Sequence, residues 1–140
     1  MTEFVLDASV AISWCFPGDL TENTAYSRRV LSELTLRDAI VPEIWAFEIA
    51  NTIFVSFTKR KRITEPQIRE YLGRLKALPI KVEYSSLWAN VELESYARKS
   101  GVSAYDVAYL DLALRKHLPL ATSDAHLVAA AVAEGIEVLK

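Results

Sequence analysis

The stretch Glu3-Phe4-Val5-Leu6-Asp7 is a short apolar run that ends on a carboxylate. Similar apolar runs recur along the chain and alternate with longer segments of helical periodicity. This alternation predicts βαβ units, in which helices join parallel strands, and therefore an α/β fold on a parallel sheet. The predicted strands are Glu3–Leu6, Ala39–Val41, Ile80–Glu83, Pro119–Thr122 and Ile136–Leu139.

Seven helices are predicted between these strands. Two of them begin with capping signatures: Thr64 stands three residues before Gln67, and Ser103 three residues before Asp106. The chain shows no repeat, low-complexity tract or linker, so residues 1–140 are expected to form one domain. The predicted helices are Ser9–Phe16, Glu22–Leu36, Pro42–Thr58, Glu65–Ala77, Ser86–Lys99, Ser103–Lys116 and Ala125–Ala133.

Composition excludes several classes of protein. Hydrophobic residues make up 51% of the 140 residues, which argues against a disordered chain. A single cysteine, Cys15, excludes an internal disulfide framework and a cysteine-rich zinc module. The longest stretch without Asp, Glu, Lys or Arg runs from Ala8 to Gly18, which is too short to span a membrane. We expect a soluble, cytoplasmic protein that does not act at a membrane.

Charge is unevenly distributed, although the formal net charge is only −2. Residues 59–81 hold eight basic and two acidic residues, whereas the segments on either side are net acidic. Four successive cations, Lys59, Arg60, Lys61 and Arg62, begin this basic segment. They could stabilise the negative end of the preceding helix dipole, contact the phosphates of a nucleic acid, or do both.

Open α/β sheets bind ligands outside the carboxyl ends of their strands, and four carboxylates are candidates for such a site. Asp7 and Asp124 follow the first and fourth strands, and Glu48 lies one to two turns into the helix after the second strand. Asp106 lies in the first turn of the helix that begins at Ser103. Each has an ordinary alternative: Asp7 and Asp124 could cap helices, and Asp106 could complete a capping box with Ser103.

Glu48 is harder to explain structurally, because its helix is apolar on nearly all sides. A carboxylate there is costly to bury without a cation or hydrogen-bond donors, and Asn51, one turn away, cannot neutralise it. If the first and fourth strands are neighbours, all four carboxylates converge and repel one another unless a cation binds. Oxygen ligands without a cysteine or histidine cluster favour Mg²⁺ or Mn²⁺ over zinc.

Four segments of the chain carry these carboxylates and the neighbouring residues: Val5–Trp14, Pro42–Asn51, Tyr105–Leu114 and Leu118–Asp124. They resemble the motifs of PIN domains, especially those of VapC-type toxins. They occur in the family's order and with its usual spacings, and the resemblance covers essentially the whole chain. Two departures stand near the last motif, where His117 replaces a frequent glycine and Ser123 a frequent leucine.

The resemblance implies a three-layer PIN-like fold, with a five-stranded parallel sheet of order 3-2-1-4-5 flanked by about seven helices. It also implies an endoribonuclease that uses one or two Mg²⁺ or Mn²⁺ ions and leaves a 5′-phosphate. Such toxins usually form homodimers and are inhibited by a small VapB-like antitoxin in a hetero-oligomer. The residues that match the family's acidic, metal-binding and catalytic site are Asp7, Glu48, Asp106 and Asp124.

Neighbouring polar residues could support such a site. Ser9, Asn51, Thr122 and Ser123 are candidates to donate hydrogen bonds to the metal-binding carboxylates. Residues Lys59–Arg62 are the candidates for contact with RNA. Asp111, in contrast, is expected to pair with Arg115 one helical turn later instead of joining the site.

Other functions of α/β sheets fit the sequence less well. A phosphatase with a nucleophilic Asp7 would usually have a second aspartate two residues later, where Ser9 stands. A receiver-like domain would need an acid in place of Tyr84, and a Rossmann domain a glycine-rich turn in place of Ala8–Val10. A PIN-like module that binds RNA or protein without cleaving remains the alternative.

Overall fold

The computed structural model describes residues 2–140 and confirms the α/β fold. Within those residues it contains four strands and seven α-helices, and a π-helical turn, Val55–Lys59, extends the third helix. The elements are β1 (Phe4–Leu6), α1 (Ala8–Ser13), α2 (Ala25–Glu33), β2 (Ala39–Pro42), α3 (Ile44–Phe54), α4 (Glu65–Lys76), β3 (Ile80–Glu83), α5 (Leu87–Ser100), α6 (Ala104–Lys116), β4 (Leu120–Ala121) and α7 (Ala125–Ala133).

All strand pairs in the sheet are parallel, and the strand order is β3-β2-β1-β4. Val5 in the central strand β1 pairs with Ile40 on one side and with Leu120 on the other. The predicted order of the first four strands and the adjacency of the first and fourth are therefore confirmed. The carboxyl ends of β1 and β4 meet at one edge of the sheet.

The predicted fifth strand, Ile136–Leu139, is wrong, and so is the five-stranded order 3-2-1-4-5. Instead, Val138 forms an isolated parallel bridge to Leu120. The Leu120 amide donates to the Glu137 carbonyl at 2.9 Å, and the Leu139 amide donates to the Leu120 carbonyl at 2.8 Å. Leu120 supplies both of these hydrogen bonds, and β4 ends at the next residue, Ala121. The ladder therefore does not extend into a fifth strand.

Alternation along β1 divides the core into two layers. Phe4 and Leu6 pack with residues of α1, α2 and α4 on one face, whereas Val5 packs with α6 and α7 on the other. All three side chains are fully buried. The sheet is thus covered by helices on both faces, as in the predicted three-layer arrangement.

Helix ends follow local capping chemistry. Thr64 and Gln67 form the predicted capping box at the start of α4, and the Asp106 amide donates to Ser103 Oγ at 3.1 Å at the start of α6. The second helix begins at Ala25, later than predicted, because Thr24 takes the N-cap position. No helix of residues 2–140 combines the length and apolar character that a membrane span requires.

Burial of Leu110 in α6 yields a stability prediction. Its side chain is fully buried, so Leu110→Ala should lower the free energy of unfolding by about 2–5 kcal/mol in a urea titration. Leu20→Ala is the matched control, because Leu20 is 71% exposed and its loss should change stability by less than about 0.5 kcal/mol. Equal effects of the two substitutions would contradict the core assignment.

Candidate active site

Asp7 directly follows β1 and is almost completely buried, at 4% exposure. It occupies the N-cap position of α1, but its side chain does not cap that helix. Its Oδ2 atom instead accepts hydrogen bonds from Ser9 Oγ and Thr122 Oγ1, both at 2.7 Å. The capping interpretation therefore does not apply to Asp7, whose carboxylate is oriented by two hydroxyl groups.

These two hydroxyl groups connect the end of β1 to the segment that follows β4. The Ser123 amide donates to Ser9 Oγ at 3.3 Å, and the Asp124 amide donates to Thr122 Oγ1 at 3.1 Å. Ser9 and Thr122 thus contact Asp7 directly, whereas Ser123 contributes its backbone amide.

Asp124 follows the same segment and caps α7. Its Oδ1 atom accepts from the amides of His126 and Leu127 at 2.8 and 3.3 Å. The structural interpretation is therefore correct for Asp124. The cap uses Oδ1 alone, and within residues 2–140 no hydrogen bond reaches Oδ2.

Glu48 lies half-buried on α3, and its Oε1 atom accepts a hydrogen bond from the Tyr109 hydroxyl at 2.6 Å. The same hydroxyl accepts from the Ala8 amide at 3.4 Å. Asn51 is exposed, and among the described residues it makes no hydrogen bond to any of the four carboxylates. Tyr109 is the contact that sequence reasoning missed, although it stands three residues after Asp106 and so on the same face of α6.

Burial and mutual repulsion both act on these acids. Burial is the main cause that raises the pKa of Asp7 above its ordinary value; the hydrogen bonds from Ser9 and Thr122 oppose the increase, and the charge of Asp124 adds to it. The pKa of Asp106 is also raised, first by burial and then by the charges of Asp7 and Asp124. The carboxylates are therefore electrostatically coupled across the end of the sheet.

Glu48 belongs to the same coupled set. Burial raises its pKa, the hydrogen bond from Tyr109 opposes this, and the charges of Asp7 and Asp106 raise the pKa further. The pKa of Tyr109 is itself raised, because burial and the neighbouring Glu48 carboxylate disfavour the phenolate. Tyr109 consequently remains a hydrogen-bond donor at neutral pH.

No protein cation neutralises this group of acids: none of the ion pairs in residues 2–140 includes Asp7, Glu48, Asp106 or Asp124. Four oxygen-donor side chains with unpaired negative charge fit the chemistry of a hard divalent cation. Within the same residues, however, no three acidic, histidine or cysteine side chains are arranged as a ready metal site. A cation held here would need adjustment of side chains or intervening water molecules.

The four predicted nucleic-acid contacts separate into two groups. Arg62 is paired within the chain: its guanidinium reaches Asp19 at 3.4 Å and Glu22 at 3.3 Å and lies 4.0 Å from the centroid of the Phe16 ring. The remaining three cations are exposed and form no ion pair in the described part of the chain; they are Lys59, Arg60 and Lys61.

Lys59 ends the π-helical turn that extends α3. Its positive charge therefore lies at the negative end of the helix dipole, as the first of the two sequence interpretations predicts. The predicted pair of Asp111 with Arg115 is confirmed at 2.8 Å, which places Asp111 outside the acidic group.

Comparisons with known proteins agree with the observed fold. The PIN domain family model matches residues 4–137. PAE2754 from Pyrobaculum aerophilum has a similar structure, with a TM-score of 0.68 and 18% identity over 92% of this chain and 79% of that one. FitAcB from Neisseria gonorrhoeae gives a TM-score of 0.64 with 19% identity, over 98% of this chain and 96% of that one.

No significant match to this chain occurs among curated protein sequences. At such low identity the two structures support the fold alone, whereas the family model covers nearly the whole sequence. This chain therefore belongs to the PIN domain family.

Proposed function

We propose that this protein is a cytoplasmic endoribonuclease that depends on Mg²⁺ or Mn²⁺ and acts as the toxin of a VapC-type toxin–antitoxin pair. PIN domains are generally nucleases, which supports a hydrolase. The observation that carries the proposal is the set of four coupled carboxylates without a protein cation. One or two bound divalent cations would offset the repulsion among these carboxylates.

Asp7 and Asp106 are proposed as direct ligands, and Glu48 and Asp124 as ligands that bind directly, through water, or at a second ion. When bound, the cation would acidify a water molecule and stabilise negative charge on the scissile phosphate. Ser9 and Thr122 hold Oδ2 of Asp7 and so restrict the rotation of its carboxylate.

Exposed cations support RNA as the substrate. Lys59, Arg60 and Lys61 are free to meet phosphates, since they are exposed and form no ion pair within residues 2–140. Phosphate contacts of this kind contribute affinity without reading the base sequence.

Exposed apolar surface supports protein partners. Leu87 and Trp88 at the start of α5 are 68% and 66% exposed, which supports a homodimer through this helix. A groove of about 560 Å³ between α3 and α4, lined by residues such as Ile53 and Leu72, supports the binding of an apolar segment of a small antitoxin.

One observation favours the alternative of a PIN-like module that binds RNA or protein without cleavage. The described side chains do not form a ready metal site. Metal-binding and cleavage assays on the purified protein separate the two functions.

Loss of a proposed ligand should abolish cleavage. Asp7→Asn and Asp106→Asn should each reduce the rate on total RNA by more than about 100-fold, because the charge that holds the cation is weakened. Asp111→Asn is the matched control and should retain the rate, since Asp111 pairs with Arg115. Full activity of both ligand variants, or of the wild type in excess chelator, would refute the metal mechanism.

Asp7 should destabilise the metal-free protein at neutral pH. Its pKa is raised in the fold, so the Asp7 carboxyl group ionises at a lower pH in the unfolded chain than in the folded one. Stability therefore falls as the pH rises from the ordinary pKa of aspartate to the raised pKa. Asp7→Asn should therefore increase the melting temperature in chelator at pH 7 but not below pH 3.8, the ordinary pKa of aspartate. Mn²⁺ should increase the melting temperature of the wild type more than that of the variant; the opposite order would contradict this prediction.

The exposed and the paired cations should behave differently. Replacing Lys59, Arg60 and Lys61 by alanine should weaken RNA binding and reduce the salt dependence of log K by about 0.7 for each lost phosphate contact. Arg62→Ala should instead lower thermal stability, because it removes contacts to Asp19 and Phe16. An unchanged salt dependence in the triple variant would remove this segment from the RNA interface.

A further inference from the structure

The proposed mechanism gives no role to the hydroxyl of Tyr109, which contacts the site. The side chain is fully buried in the layer between the sheet and α6. Its hydroxyl both donates to Glu48 Oε1 at 2.6 Å and accepts from the Ala8 amide at 3.4 Å. A single atom deep in the fold therefore contacts two of the chain segments that form the site.

These contacts connect three of the four acidic positions. Ala8 directly follows Asp7, Glu48 accepts the hydrogen bond, and Tyr109 itself stands three residues after Asp106 on α6. Residues three apart lie on one face of a helix, so Tyr109 and Asp106 share the face that meets β1. The hydroxyl is thus placed where β1, α3 and α6 meet.

Glu48 has no comparable partner elsewhere. Within residues 2–140 its side chain accepts one hydrogen bond, from Tyr109, and forms no ion pair. A half-buried glutamate without this bond could turn its carboxylate toward solvent, because that movement would restore hydration. The bond to Oε1 also leaves Oε2 without a hydrogen bond from the described residues.

We propose that Tyr109 is a positioning residue whose buried hydroxyl holds the Glu48 carboxylate toward Asp7 and Asp106 and thereby sets the affinity for Mg²⁺ or Mn²⁺. This inference rests on the proposed function, because it requires that the four acids bind a cation. Groups that orient a ligand in this way typically change metal affinity by about 10- to 100-fold when removed.

The ring and the hydroxyl of Tyr109 have separable roles. The ring fills the core and would leave a cavity if truncated, whereas Tyr109→Phe removes the hydroxyl and retains nearly all of the volume. Tyr71 provides a matched control. It is 2% exposed, and its hydroxyl donates to the backbone carbonyl of Ala11 at 2.5 Å, so Tyr71→Phe also removes one buried hydroxyl from the core.

The test measures Mn²⁺ affinity by isothermal titration calorimetry, together with thermal unfolding in chelator. Tyr109→Phe should weaken Mn²⁺ binding by about 10- to 100-fold, while Tyr71→Phe should bind Mn²⁺ as the wild type does. Both variants should lose some thermal stability, because each loses a buried hydrogen bond. RNA cleavage by Tyr109→Phe should fall at limiting Mn²⁺ and recover at saturating Mn²⁺.

A double-mutant cycle tests whether Tyr109 acts through Glu48. In a Glu48→Gln background, adding Tyr109→Phe should change Mn²⁺ affinity by less than about twofold, because the negative charge that the hydroxyl orients is already absent.

The possible failures are distinguishable. If Tyr109→Phe binds Mn²⁺ as tightly as the wild type, or if Tyr71→Phe weakens binding equally, the inference is overturned while the proposed function stands. If the wild type neither binds Mn²⁺ nor cleaves RNA, the proposed function fails and the inference fails with it.

Discussion

The parallel pairing of β1 with β4 is the constraint on which the site depends. The Val5 amide donates to the Pro119 carbonyl and the Asp7 amide to the Ala121 carbonyl, both at 2.9 Å. These bonds set the register in which both strands end at the same level, so Asp7 emerges beside Thr122 and Asp124. The register of this parallel ladder therefore makes neighbours of residues more than 110 positions apart.

The donors around the acids are neutral. Ser9 and Thr122 orient Asp7, and Tyr109 orients Glu48, through hydroxyl groups that carry no charge. Lysine or arginine at these positions would have compensated the carboxylates and removed their attraction for a cation. Neutral donors restrict the carboxylates while leaving the negative charge in place, at a cost in stability that is typical of functional sites.

Outside the acidic site, the charge of Arg62 is compensated by carboxylates of the same chain. Arg62 is bound by Asp19 and Glu22 and lies over Phe16, which attaches the last of the four successive cations to the loop after α1. Lys61, one residue earlier, adopts a positive φ of 52°, so the backbone turns sharply between the exposed cations and the paired one. One short basic run therefore includes both a structural contact and three exposed cations, which are the ones proposed to contact RNA.

The sequence alone determined the elements whose causes are local. Strand and helix alternation, the capping box at Thr64 and the placement of acids after strands depend on residues a few positions apart. The tertiary structure decided the rest: the missing fifth strand, the cap formed by Asp124 but not by Asp7, and the contact of Tyr109 with Glu48. Each depends on which distant groups become neighbours, because buried hydrogen-bonding groups pair with whatever partner the packed fold brings within reach.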